Sequence, residues 1–231
     1  GNSQFKVTAI FIHDNQEFKA ELNQKFDTEE AASEFLNSLK PAEFIVSDIS
    51  KTPGTRNPAA PFTTSTLQQE ANSKLGFSSK ATMASAQKLY QDGKITYMRT
   101  DSVNLSGQAI AAATDFIKRL YGPDYSTVRK FKTKSASAQE AHEAIRPTDI
   151  TLETASSNSY DQKLYDLIRR RTLASQMSPA KLEKTTITID IKGDKLPKSK
   201  KPAQFEAKGE VITFDGFLRV YGGNKDELLP K

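Results

Sequence analysis

The stretch Ile95–Ser102, ITYMRTDS, spaces a tyrosine, an arginine and an aspartate at i, i+2 and i+4. Read as an extended strand, it puts Tyr97, Arg99 and Asp101 on one face, because side chains along a strand alternate with a period of two. A hydroxyl nucleophile, a permanent cation and a carboxylate then share one surface. The same alternation describes an ordinary half-buried strand in which the tyrosine is a core contact, so the flanking chain has to decide between the two.

Immediately outward the pattern is helical. Residues 64–93 read as two helices, each followed by a glycine at a C′ position, Gly76 and Gly93, with Ser78 or Ser79 capping the second. Two short helices around a glycine turn, followed by the strand KITYMRT, resemble a winged helix-turn-helix unit. Downstream, Ser106 caps a long helix with Ile110, Ala113, Ile117 and Leu120 on one face, ended by Gly122 and Pro123. A polar, basic loop with Arg129, Lys130, Lys132 and Lys134 follows. The segment AQEAHEAIRPTDI then reads as a turn or two of helix stopped by Pro147, projecting His142 and Arg146 from one face at i, i+4. From Ser159 another amphipathic helix buries Leu164, Leu167, Ile168 and Leu173. Its Arg169, Arg170 and Arg171 cannot all point one way, so at least one faces solvent or a ligand.

Further out, both chain ends turn to strand. Residues 5–22 alternate apolar and polar on either side of HDNQ, a hairpin signature. A helix follows, capped by Asp27 or Thr28 and stopped by Pro41, with Ala32, Phe35, Leu36 and Leu39 on one face. AEFIVSDISK is a strand with Phe44, Val46 and Ile49 inward, and TPGTRNPAAP, residues 52–61, is a linker. At the other end KTTITIDIKG is a strand, AQFEAKGEVITFDGFLRVYGG supplies at least two more, and DKLPKSKKP between them is a loop. The expected fold is therefore α+β: a discontinuous β-rich domain from residues 1–53 and 183–231, with a mainly helical domain, residues 54–182, inserted.

Composition narrows the function. The chain has no Cys, which rules out disulfides and thiolate metal sites and leaves His13 and His142 as its only imidazoles. No run approaches the ~18 apolar residues of a membrane span, and no signal-peptide pattern opens the chain, so it is read as soluble. With its abrupt start at a strand, it is expected to be a piece of something longer. Residues 54–182 carry 18 Lys and Arg against 11 Asp and Glu, while the remainder carries 15 against 17. The basic surface thus belongs to the helical middle, as a nucleic-acid contact requires.

Three blocks in order, APFTTSTLQQEA at 60–71, ITYMRTDSVNLS at 95–106 and QEAHEAIRPT at 139–148, resemble the signature blocks of the bacterial type IA DNA topoisomerase I family. The resemblance covers the whole chain and is most specific between Ala60 and Thr148. It implies that Tyr97 attacks a phosphodiester of single-stranded DNA, leaving a 5′-phosphotyrosine and a free 3′ hydroxyl, and that strand passage through the gap relaxes negative supercoils without a nucleotide cofactor. Arg99 would clamp the scissile phosphate, His142 would arrange the site, and Arg146, Asp101, Lys94 and Arg169 would be further DNA-binding positions, Asp101 orienting Arg99. Glu143 is read as solvated.

The resemblance also implies what the chain lacks. The family's acidic Mg²⁺-binding domain has no counterpart in these residues, nor does the channel domain that closes the ring. The chain resembles the central arch and the tyrosine domain, would hold no metal and would be inactive alone. The whole enzyme would act in the bacterial cytoplasm, on the nucleoid. Reverse gyrase and topoisomerase III are related possibilities, against which TSTLQQEA favours the bacterial relaxing enzyme. The competing reading is a winged-helix nucleic-acid-binding module without catalysis, with Tyr97 in its core.

Overall fold

The computed structural model describes residues 3–13, 15–132, 142–196 and 201–222. The chain divides into two compact units, residues 1–54 with 182–212 and residues 55–181 with 213–231. The first is built on a sheet and the second on helices, a mixed α and β architecture.

The sheet unit begins with the expected hairpin, β1 (Phe5–His13) and β2 (Gln16–Phe26), paired antiparallel from Phe5 opposite Phe26 to His13 opposite Gln16. Asn15 takes the left-handed backbone conformation in the turn, φ 62°, which asparagine tolerates better than most residues. Helix α1 (Glu29–Ser38) follows, and of the two candidate caps Thr28 is used: its hydroxyl accepts from the Ala31 amide at 3.1 Å. Strands β3 (Glu43–Arg56), β4 (Ala180–Lys192) and β5 (Gln204–Phe214) complete a five-stranded sheet of order β1-β2-β5-β4-β3. Strand β5 runs antiparallel to β2. Val7, Ala20, Leu22, Ala32, Phe35, Ile189, Phe205 and Ala207 form its buried core.

Three sequence expectations fail at the sheet. Val46 is 51% and Ile49 58% exposed, and Phe44 reaches inward only to touch the rings of Phe11 and Phe205. The reason is position: β3 is the sheet's edge, while α1 packs on β1 and β2 at the opposite end. Strand β3 also runs on through Pro53 and Gly54 to Arg56, where a linker was expected; an edge strand can hold a proline because its outward N–H side needs no partner. Finally, residues 203–222 supply one strand, not two. After β5 the chain makes a 3₁₀ turn, Gly216–Arg219, and its described residues from Thr213 belong to the helical unit.

In the helical unit the capping logic holds closely. Helix α2 (Thr64–Leu75) starts at a reciprocal Thr63–Thr66 capping box and ends at Gly76, φ 70°. Helix α3 (Ser79–Gln91) is capped by Ser78, and Gly93 just beyond it has φ 72°. Helix α4 (Gly107–Leu120) is capped by Ser106. Helix α5 (Ser159–Ser175) is the axis of the unit, with Leu164, Tyr165 and Ile168 fully buried, each contributing roughly 1.5–3 kcal/mol by leaving water. Phe62, Leu67, Ala71, Leu89, Ile95, Met98 and Ile145 close around it. A second cluster, including Ile117, Ile150, Leu173, Met177 and Phe217, brings in α4 and the returning 3₁₀ turn.

Two local expectations are corrected here. KITYMRT is not a strand: Ile95 makes a single bridge to Pro147, and the residues after it bend. Residues 142–147 are not a helix but an extended run with bridges at Ile145 and Pro147; residues 138–141 lie outside the described residues. Helical spacing misled because Pro147 and the adjacent bridge partners pull this run into extended backbone, where buried Ile145 pairs with Phe62.

Candidate active-site loop

Residues 95–104 run between two supports. On one side they lie antiparallel to residues 142–147. The Thr96 amide donates to the Arg146 carbonyl at 2.9 Å, the Thr96 hydroxyl to the Ala144 carbonyl at 2.7 Å, and the Ser102 hydroxyl to the His142 carbonyl at 2.8 Å, while the Ala144 amide donates to the Asn104 carbonyl at 2.8 Å. On the other side, the first turn of α2 takes up the part that bows out. Thr64 Oγ1 donates to the Met98 carbonyl at 2.6 Å and accepts from the Thr100 amide at 2.9 Å, and the Thr64 amide donates to the Thr100 carbonyl at 3.0 Å. Arg99 is bracketed by these bonds.

Within this frame Ile95, Met98 and Ser102 are buried and Tyr97, Arg99 and Asp101 exposed. The loop therefore presents the same three side chains that a strand would have, though its backbone is held by side-chain hydroxyls instead of a ladder. Tyr97 is 48% exposed, and its ring meets the edge of Tyr90 with centroids 5.2 Å apart and planes at 61°, a T-shaped contact that favours one ring orientation. A tyrosine so exposed is not a core residue, which removes the competing reading that buried it. Arg99 has neither ion-pair nor hydrogen-bond partner among the described residues. Its charge is thus unspent.

The other expected positions are distributed unevenly. His142 is exposed, facing solvent from the run that borders the loop. Arg146 is not free: its guanidinium forks onto Glu143, Nη2 reaching Oε1 at 3.1 Å with Nε on Oε2, so Glu143 is engaged rather than solvated. Asp101 makes no ion pair with Arg99 among the described residues, because the backbone turns between them. Lys94 lies at the loop's entry, where its carbonyl accepts from the Thr148 amide at 3.0 Å. Arg169, expected to face DNA, is turned inward in this structure. Only 8% exposed, it donates to the Ile150 carbonyl at 2.9 Å and lies over the Phe116 ring. Arg129 is half-buried, donating to the Ser175 carbonyl at 3.2 Å and to that of Met177, and burial lowers its pKa. Arg170 is the outward member of its triplet, paired with Asp166 at 2.8 Å.

Among the described residues no three His, Asp or Glu side chains gather as a metal site needs. Asp101 stands apart and Glu143 is occupied by Arg146, so these residues do not fit a Mg²⁺ ion. No described helix is long and apolar enough to cross a membrane.

A family model described as DNA topoisomerase matches residues 2–231. The chain belongs to the DNA topoisomerase family. The type IA resemblance drawn from the three blocks holds across the chain. It is 40% identical over 249 residues to the mimivirus protein named DNA topoisomerase 1 type prokaryotic, covering 98% of this chain and 29% of that one. It is 43% identical to DNA topoisomerase 1 of Zymomonas mobilis, covering 90% of this chain and 16% of the relative, and 44% identical to that of Mycolicibacterium smegmatis, covering 87% and 22%. The solved full-length topoisomerase I of Thermotoga maritima matches with a TM-score of 0.72 at 33% identity, over 96% of this chain and 36% of that one. The chain thus spans less than a third of the curated relatives just named.

Sequence reasoning overlooked the residues that hold a topoisomerase loop in this shape. Thr64, Thr96, Ser102 and Asn104 all lie inside the quoted blocks, so a signal existed. What was missing was the partner, since the bonds span up to 50 residues. Tyr90, one helix upstream, was overlooked entirely.

Proposed function

We propose that this chain is the nucleophile-bearing part of a type IA topoisomerase that cuts and rejoins one DNA strand to relax negative supercoils. The observation that carries the reading is the half-exposed Tyr97 beside an unspent Arg99 on a loop pinned from both sides. The Tyr97 hydroxyl oxygen attacks phosphorus and the P–O3′ bond breaks, giving a 5′-phosphotyrosine and a free 3′ hydroxyl; the reverse attack restores the strand. One phosphodiester is exchanged for another, so no nucleotide is consumed. A phenol with an ordinary pKa near 10 is a weak nucleophile at neutral pH but its phenolate leaves readily, which suits a break that must reseal.

Arg99 places a permanent, forked cation against the phosphate, where charge builds in the transition state. His142 borders the same phosphate path. Arg146 reaches DNA only by leaving Glu143, and Lys94 and Asp101 flank the entry and exit of the loop. In this reading α2 and α3 serve as a helix-turn-helix-like unit that carries the loop to a single-stranded segment of negatively supercoiled DNA, and the sheet unit is the arch domain. The domains keep the sequence division, 1–53 with 183–231 and 54–182, except that the described residues from Thr213 go with the helical unit. Mg²⁺ would be held by acidic residues of the remaining enzyme, which works on the bacterial nucleoid in the cytoplasm. The chain alone is then inactive.

The test replaces Tyr97 with Phe in the full-length enzyme and traps the covalent intermediate on an end-labelled single-stranded oligonucleotide. Loss of the adduct with retained binding supports the reading. An adduct that persists overturns it.

A further inference from the structure

Beside Arg99 a polar groove opens between α2 and α3, lined by Gln68, Lys80, Met83, Ala84 and Gln87 together with Arg99 itself. It is a shallow, open depression rather than an enclosed cavity, as a surface that tracks an extended strand is. Gln68, Lys80, Gln87 and Arg99 make no hydrogen bond or ion pair among the described residues. That sets them apart from the other cations on these two helices. Lys74 is 3.3 Å from Glu70 and Lys88 3.6 Å from Asp161. The groove therefore offers two uncommitted cations, two amides that can each donate and accept, and at its floor the half-buried, polarisable side chain of Met83, a surface suited to a flat ring.

We infer that this groove seats the nucleotide immediately downstream of the DNA break, the one whose 5′-phosphate is joined to Tyr97. The inference rests on the proposed role of Tyr97 and extends it. A 5′ attachment means that the downstream strand travels with the helical unit while the strand ending in the 3′ hydroxyl does not. A strand held by one ester alone would swing freely and religate slowly, because the geometry of attack would be lost. The groove begins at Arg99, two residues past Tyr97, and runs along α3 to Lys80. Arg99 faces the phosphate joined to tyrosine and Lys80 the next phosphate along the strand. Between them the base lies on Met83 and Ala84, its edge read by Gln68 and Gln87. Glutamine amides pair best with a base that shows a donor beside an acceptor, as adenine does, and unpaired bases leave those edges open.

The experiment uses the full-length enzyme and a double variant, Lys80→Ala with Gln87→Ala, at two exposed positions whose truncation leaves the core untouched. Oligonucleotides share one upstream arm, and their downstream arm lengthens one nucleotide at a time; affinity is read by fluorescence anisotropy. The wild-type enzyme gains roughly thirtyfold or more when the arm becomes long enough to fill the groove, the worth of one charged and one neutral hydrogen bond. The double variant loses that step yet still forms the Tyr97 adduct. It also loses any preference for the base at that position. An identical length dependence in both proteins, or no step in either, overturns the inference. Tyr97→Phe run in parallel separates the two readings: an adduct there sinks the role of Tyr97, whereas adduct loss there with unchanged length dependence in the double variant sinks only the groove.

Discussion

Thr64→Val is the sharpest probe of how the active-site loop is held. Valine keeps the branched shape of threonine at the first turn of α2 and has similar helix propensity, so the change removes little besides the hydroxyl. With it go the donation to the Met98 carbonyl at 2.6 Å, which the Thr100 carbonyl shares at 3.2 Å, and the acceptance from the Thr100 amide at 2.9 Å. Each is worth about 0.5–1.5 kcal/mol net, and the Met98 end sits in the core, where an unmet carbonyl costs more. The expected loss is about 2 kcal/mol for the helical unit. With a urea slope of roughly 1–3 kcal/mol/M, the midpoint of that unit's transition falls by about 1 M, measured by far-UV circular dichroism on the purified chain. Because the two bonds bracket Arg99, the full-length variant also cleaves more slowly than its lost stability explains, with the deficit persisting at temperatures where it is fully folded. A midpoint shift under about 0.3 M, or normal cleavage once folded, would refute the claim that this hydroxyl shapes the loop.

Gly216→Ala should be among the most damaging small substitutions. Gly216 has φ 52°, and an added Cβ would press into the carbonyl oxygens of Ser178 and Pro179, so we expect a loss above about 3 kcal/mol, read as a drop in Tm or failure to accumulate folded chain. Alkali should loosen the helical unit: burial pushes the Tyr165 and Tyr221 hydroxyls from 10.0 up to about 12. A folded-state pKa raised above the unfolded one means stability that is complete below pH 10 and lost as pH climbs toward about 12. Urea midpoints measured across that range should fall, and Tyr165→Phe with Tyr221→Phe should flatten the fall.

Much of the helical unit was legible because its signals are local. Ser78, Ser106 and the glycines after α2 and α3 act within a turn of where they stand, and the alternation that exposes Tyr97, Arg99 and Asp101 survives even though the strand does not. The hairpin and the Thr28 cap are of the same kind. The misses all depend on what lies across from a residue. Phe44, Val46 and Ile49 alternate as an inward strand should, but β3 is at the sheet's edge with α1 at the other end. His142 and Arg146 have helical spacing, but Pro147 and the pairing with Ile95 draw them out straight. Arg169 and Arg170 are neighbours in sequence, yet one is folded against Ile150 and Phe116 while the other faces solvent.

For ITYMRTDS itself the division is plain. Residue type and spacing alone determined which chemistry is possible: a phenol, a guanidinium and a carboxylate, presented together, in blocks whose order marks the family. The tertiary structure decided which of them are available. The Thr64 hydroxyl of α2 and carbonyls from residues 142–146 bend the loop so that, among the described residues, Arg99 has no partner while Arg146 is held by Glu143. Those partners are distant along the chain, and the energy of a polar group depends on the acceptor it meets after folding rather than on its neighbours in sequence.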